Sequence, residues 1–181
     1  MKKEVEIKIL NIDKKKIKSL LKKSGAKQIL KPNLMKEMYL ESPAHERLYS
    51  AFRLRSEGKK NFLTLKLKKG TRESKKFQVR DELEVEIGDF NTAKKIIQLA
   101  GFKIFRKREK IREKYKLNKS EIEIDEYPKM KPYLEIETSS AKEMSYLIKI
   151  LGISLKYATN KTATEIIRGA GLNPDNLFFK E

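Results

Sequence analysis

A set of short stretches in this chain carries charged residues at every second position, a spacing that can place several ionic groups on one wall of a site. EVEIK puts Glu4, Glu6 and Lys8 on one side and Val5 and Ile7 on the other. AFRLR sets Arg53 and Arg55 around Leu54, and TLKLK sets Lys66 and Lys68 against Leu63, Leu65 and Leu67. RDELEVE gives Arg80, Glu82, Glu84 and Glu86, while RKREKIREKY can align Arg108, Lys110 and Arg112. EIEIDEY aligns Glu121, Glu123 and Asp125, and YLEIE aligns Tyr133, Glu135 and Glu137. Alternation with a period of two is the signature of a strand with one apolar and one polar side. The signs segregate, with some strands basic and others almost wholly acidic. A salt-bridged outer sheet face is one reading. The other turns the ionic sides inward, where charges are too costly to desolvate without compensation. A polyanion with divalent cations supplies both missing signs. Arg and Lys take phosphate oxygens, and carboxylates two residues apart, about 6.6–6.8 Å along a strand, can share hard cations such as Mg²⁺ or Mn²⁺.

The elements that must hold these groups repeat. EVEI at 4–7 returns at 84–87, and EIET at 135–138 is a near copy. Each precedes an amphipathic helix that stops at a glycine. After the first copy, Asp13 caps and Ile17, Leu20 and Leu21 pack before Gly25. After the second, Asp89 or Asn91 caps and Ile96, Ile97, Leu99 and Ala100 pack before Gly101. After the third, Ser139 or Ser140 caps and Met144, Leu147, Ile148 and Leu151 pack before Gly152. Further strands are expected near 34–41, 49–57, 61–69, 103–117 and 121–127, with turns at Pro43, Glu57–Lys59, Gly70 and Pro128–Pro132. A last helix is expected near 159–169, followed by a tail in which Phe178 and Phe179 seal the barrel or a homodimer contact. The pattern predicts one α+β domain over 1–181, with about eight strands and four helices. An antiparallel sheet of that size closes or curls to avoid open edges.

Composition narrows the chemistry. The chain has 181 residues, 38% of them charged, a formal charge of +18, no cysteine and a single histidine, His45. Thiolate nucleophiles and disulfides are excluded, and a Ser-His-Asp triad or a His-rich metal centre is not expected. His45 reads as a surface loop residue. With no apolar run of spanning length and a charged start, neither a membrane span nor a signal peptide is expected, and the location expected is the cytoplasm. The positive charge fits polyanionic partners, or a lysine- and glutamate-rich surface of the heat-adapted kind. Tyr39, Tyr49, Tyr115 and Tyr127 read as packing residues, and Lys59 and Lys60 as solvated.

In their order, EVEIK, AFRLR, LTLK, RDELEVE, KIREKY, EIDEY and YLEIE resemble the motifs of CYTH domains, the triphosphate tunnel metalloenzymes, over about residues 2–165. The resemblance implies an eight-stranded antiparallel closed β-barrel, charged inside, with helices packed outside. It implies Mg²⁺ or Mn²⁺ on Glu4, Glu6, Asp125, Glu135 and Glu137. It also implies a triphosphate held by Lys8, Arg53, Arg55, Lys66, Arg80, Lys110 and Arg112, with catalysis resting on Glu4, Glu6, Lys8, Lys66, Lys110 and Arg112. Lys68, Arg108, Glu82, Glu84 and Glu123 are second choices. The expected activity is that of a class IV adenylyl cyclase, converting ATP to cyclic AMP and pyrophosphate. The alternative is hydrolysis of inorganic tripolyphosphate or thiamine triphosphate. A barrel that binds polyphosphate or RNA without turnover is the reading from another class; the acidic residues on the same faces argue against nucleic acid as a partner.

Overall fold

The computed structural model describes residues 2–42, 49–67 and 77–179. His45, Lys68, Pro43 and Gly70 lie outside the described residues. In chain order the elements are β1 (Lys2–Ile9), α1 (Lys14–Lys23), β2 (Lys27–Glu41), β3 (Tyr49–Glu57), β4 (Lys60–Leu67), β5 (Gln78–Ile87), α2 (Phe90–Leu99), β6 (Lys103–Leu117), β7 (Ser120–Glu126), β8 (Tyr133–Thr138), α3 (Ala141–Ile150), a 3₁₀ turn at Leu155–Tyr157, β9 (Ala158–Thr159), α4 (Ala163–Gly169) and β10 (Asn176–Leu177).

Eight strands close on themselves in the order β6-β2-β3-β4-β5-β1-β8-β7, with β7 pairing back to β6, and every pairing in the ring is antiparallel. This is the closed barrel with helices outside that the sequence implies. Closure leaves no free edge in the ring. The two short strands lie off it: β9 pairs with β1, and β10 runs parallel to β6. The three copies of the acidic motif, in β5, β1 and β8, are neighbours in the sheet.

Parity decides which side of each strand meets the helices. In β1, Val5, Ile7 and Ile9 face outward into the largest apolar cluster, beside Ile17 and Leu21 of α1 and Met144 and Leu147 of α3. Leu21 and Leu147 are each 1% exposed, and full burial of such a side chain stabilises by roughly 1.5–3 kcal/mol. Asp13 caps α1, accepting from the amides of Lys15 and Lys16. Gly25 follows with φ +79°, a backbone state that glycine adopts at no steric cost. Of the alternative caps, Asp89 and Ser140 serve α2 and α3. A smaller cluster joins Leu40, Leu54 and Ile97 under α2.

Four expectations need correction. β2 begins at Lys27, not near 34, because the chain pairs with β6 through irregular register at Gln28–Asn33; Pro32, which cannot donate to a ladder, sits within that irregular stretch. On α2 only Ile97 is buried, whereas Ile96 and Leu99 are 61% and 79% exposed, so the apolar stripe is narrower than the run of apolar residues. The last helix, expected from 159, starts at Ala163 with a capping box between Thr162 and Glu165. In the tail, Leu177 rather than Phe178 is buried against the body; Phe178 is exposed, and the Phe179 amide donates to Glu109.

Candidate active site

The inward sides of the ring enclose a cavity of about 1140 Å³. Among the described residues lining it, eleven are acidic and eleven are Lys or Arg. That balance explains how so many ionic groups tolerate each other. It also means that a polyanion entering the cavity meets no net positive charge unless cations come with it. Glu4, Glu6, Lys8, Arg53, Arg55, Lys66, Arg80, Lys110, Arg112, Glu135 and Glu137 all line the cavity, because each occupies the inward parity of its strand. Asp125, on the same parity of β7, is fully buried behind Lys110 and Arg112.

The basic arc is tightly paired. Arg112 grips Asp125 with Nε and Nη2, both at 2.6 Å, and its Nη1 also reaches Glu123. Lys110 donates to Asp125 at 2.9 Å. Burial raises the Asp125 carboxyl, but Arg112 and Lys110 more than offset this and hold it below the usual carboxylate range. Arg55 Nη2 spans both oxygens of Glu84 at 3.1 Å and nears Glu57 at 3.4 Å, while its Nε has no hydrogen-bond partner. Lys66 bridges Glu4 at 2.9 Å and Glu82 at 2.8 Å. Lys8 contacts Glu6 and lies 3.2 Å from Glu135. Burial pushes Glu135 up, but Lys8 and Arg112 bring it down to about 2.

The acidic arc is different. Oxygens of Glu4, Glu6 and Glu137 lie within 4.8 Å of one another, as do oxygens of Glu121, Glu123 and Glu137. Glu137, common to both groups, makes no ion pair among the described residues. Burial raises its carboxyl, and the charges of Glu4, Glu123 and Glu135 push it further, well above the ordinary range. Convergent carboxylates with an uncompensated member are the donor set a hard divalent cation requires, so the residues present fit a metal. Of the expected metal-side residues, Glu4, Glu6 and Glu137 come together. Asp125 and Glu135 are not in either group: Asp125 is held by Lys110 and Arg112, and Glu135 lies 3.2 Å from Lys8.

Several lining residues escape the motif reading. Glu37 of β2 lies inside the basic arc, buried among Arg53, Arg108 and Lys110. Its stretch, LMKEMYLE, reads as mostly apolar, and the one available signal is that Glu37 stands opposite Arg55 and Arg108 in the register. Tyr39 and Tyr127 are not merely packing: both line the cavity and flank the Arg108 guanidinium, whose carbon lies 4.6 and 5.2 Å from their ring centres. Tyr49 also lines the cavity, whereas Tyr115 packs outside it. From α4, Thr164 accepts hydrogen bonds from Arg106 and Arg108, and Arg168 reaches the lining.

Comparison with known proteins agrees with this geometry. A protein of Methanocaldococcus jannaschii named as a candidate adenylate cyclase is 32% identical over 174 residues, covering 90% of this chain and 97% of that one. A conserved hypothetical protein from Pyrococcus furiosus shares 28% identity, with a TM-score of 0.71 over 91% of this chain and 99% of that one. The PH1012 protein of Pyrococcus horikoshii shares 25% identity and the same TM-score, over 94% and 99%. Residues 2–164 match the family model described as the CYTH domain. With an ion-lined closed barrel and a family match over nearly its whole length, the chain belongs to the CYTH domain family.

Proposed function

We propose that this protein is a metal-dependent enzyme acting on an organic triphosphate in the barrel, of the adenylyl cyclase type, converting ATP to cyclic AMP and pyrophosphate. The observation that carries the reading is the division of one cavity between a cationic arc and a group of carboxylates sharing the uncompensated Glu137. A triphosphate brings several negative charges into a lining whose own charges balance, so it should enter with its counter-cations. Glu4, Glu6 and Glu137 would hold Mg²⁺ or Mn²⁺, with Glu121 and Glu123 adjoining. Such an ion, when bound, supplies charge neutralisation and Lewis acidity at phosphoryl oxygens.

The protein's part is to bind and orient. Lys8, Arg53, Arg55, Lys66, Arg80, Lys110 and Arg112 would hold the phosphates from fixed positions, which lowers the barrier by preorganisation. In the cyclase reaction the ribose 3′-oxygen bonds to the α-phosphorus, the bond from that phosphorus to the β-bridging oxygen breaks, and the hydroxyl proton leaves to a carboxylate or water. The cavity exceeds the roughly 300–1,000 Å³ usual for ligand pockets, and Phe62, on the same parity of β4 as Thr64 and Lys66, offers apolar surface that a bare tripolyphosphate would not need. The name of the M. jannaschii relative points the same way.

Incubating the protein with ATP, tripolyphosphate or thiamine triphosphate and Mg²⁺ or Mn²⁺, then identifying products, tests the reading. Cyclic AMP and pyrophosphate are expected, with no turnover in excess chelator. Orthophosphate instead would make the protein a triphosphatase, and tight binding without turnover would make it a carrier.

A further inference from the structure

Glu37 is a carboxylate on the wrong side of the barrel. Its side chain is 0% exposed and lies among the cations rather than with the acidic arc. Arg53 donates to its Oε1 at 3.1 Å, Arg108 Nε to its Oε2 at 2.7 Å, and Lys110 Nζ stands 3.5 Å from Oε1. The Tyr127 hydroxyl approaches Oε2 at 3.5 Å.

These cations are not equivalent. Arg108 is held through every nitrogen: Nε holds Glu37, Nη1 holds Thr164, Nη2 meets the Tyr39 hydroxyl, and Tyr39 and Tyr127 cover its faces. With a bond on each of its three nitrogens and both faces covered, it serves as the fixed post to which Glu37 is tied. Arg53 uses only Nη1, and among the described residues Glu37 is its one ion-pair partner. Lys110 is shared between Glu37 and Asp125. Both Arg53 and Lys110 line the cavity.

We propose that Glu37 is a positioning residue: anchored by Arg108, it sets the spacing of Arg53 and Lys110 at the cavity wall and competes with the incoming phosphates for them. This rests on the triphosphate reading. Two consequences follow that a purely structural role would not produce. Neutralising Glu37 leaves three converging cations with one anion fewer, so the affinity of the cavity for a polyanion should hold or rise. At the same time Arg53 becomes free to swing towards Glu82 and Glu84, whose charges already act on it, and its alignment on a reacting phosphate is lost. Small misplacements of that kind cost turnover steeply. Binding and turnover should therefore move in opposite directions, a split that separates ground-state from transition-state interactions.

The test compares the wild type with Glu37→Gln and Glu37→Asp. Tripolyphosphate binding is measured by calorimetry with Mg²⁺ present, and kcat and KM are measured with Mn²⁺ and the triphosphate the wild type turns over. Glu37→Gln is expected to bind tripolyphosphate equally or up to about tenfold more tightly, while kcat falls at least tenfold. Glu37→Asp keeps the charge but is one methylene too short to reach Arg53 and Lys110 together. It should keep wild-type affinity within about twofold and lose kcat, and it decides the matter if Glu37→Gln does not fold. An unchanged kcat in a folded variant, or affinity and kcat falling together, would overturn the proposal. A wild type that neither binds tripolyphosphate nor turns over any triphosphate would remove the triphosphate reading itself, and this inference with it.

Discussion

A buried carboxylate and a half-buried one, on opposite sides of the same barrel wall, show how a structural charge differs from one held ready for a ligand. Glu113 of β6 faces outward beneath α1 and is 0% exposed. It receives Lys18 at 2.7 Å, Lys14 at 2.9 Å, the Tyr115 hydroxyl at 3.0 Å and the Gln28 amide at 3.3 Å. Burial pushes its carboxyl up, but bonds from Lys18, Lys14 and Tyr115 more than offset this and hold it below the ordinary value of 4.5. Glu137 of β8 faces inward, pairs with no described cation, and is pushed up by burial and by Glu4, Glu123 and Glu135. One carboxylate is surrounded by cations and donors of the protein itself and ties a helix to the barrel. The other has like charges for neighbours and calls for a cation from outside. What separates them is the sign of their neighbours.

Substitutions at the two sites should therefore fail in different ways. Glu137→Gln should lower turnover by more than the roughly 10–100-fold that loss of an outer-shell metal partner costs. Its stability without metal should hold or rise, because a like-charge cluster is relieved; urea melts and initial rates in parallel read both. Arg55→Ala comes next. It removes charge-assisted bonds of about 1.5–3 kcal/mol and should weaken tripolyphosphate about ten- to a hundredfold by calorimetry.

Glu113→Gln should reverse the pattern of Glu137→Gln. Tripolyphosphate binding should be unchanged, while unfolding free energy falls by about 1–3 kcal/mol, the cost of buried partners left poorly paired. The pH dependence has a definite sign. Because the folded carboxyl sits below its unfolded value, its contribution is present above pH 4.5 and is lost as pH falls further, through the folded value. The variant should show a shallower loss of stability on that acid limb. Lys60→Ala should do least. Lys60 meets Glu86 at 2.8 Å, but both side chains are more than half exposed, and such pairs contribute about 0–1 kcal/mol.

Much of this wall could be read in the sequence because strand alternation is blunt: Arg53 and Arg55 around Leu54, or Glu4 and Glu6 around Val5, leave no choice of side once the helices cover the apolar face. Glu37 escaped because the residues sharing its side, Met35 and Tyr39, are not charged, so its stretch shows no ionic row. The division of labour among the carboxylates was not legible either. Asp125, Glu135 and Glu137 have the same parity on adjacent strands, and only the register puts Arg112 and Lys8 beside the first two and other carboxylates beside the third. Ile96 and Leu99 misled for the opposite reason. An apolar run on a short helix does not say how much of it the sheet below can cover.

The most direct measurement is Mn²⁺ titration by calorimetry into the wild type, Glu137→Gln and Glu113→Gln, each in the presence of tripolyphosphate. The wild type and Glu113→Gln should bind with equal affinity and stoichiometry, and Glu137→Gln should lose at least one site. Equal binding to all three proteins, or loss in Glu113→Gln alone, would contradict a metal role for Glu137.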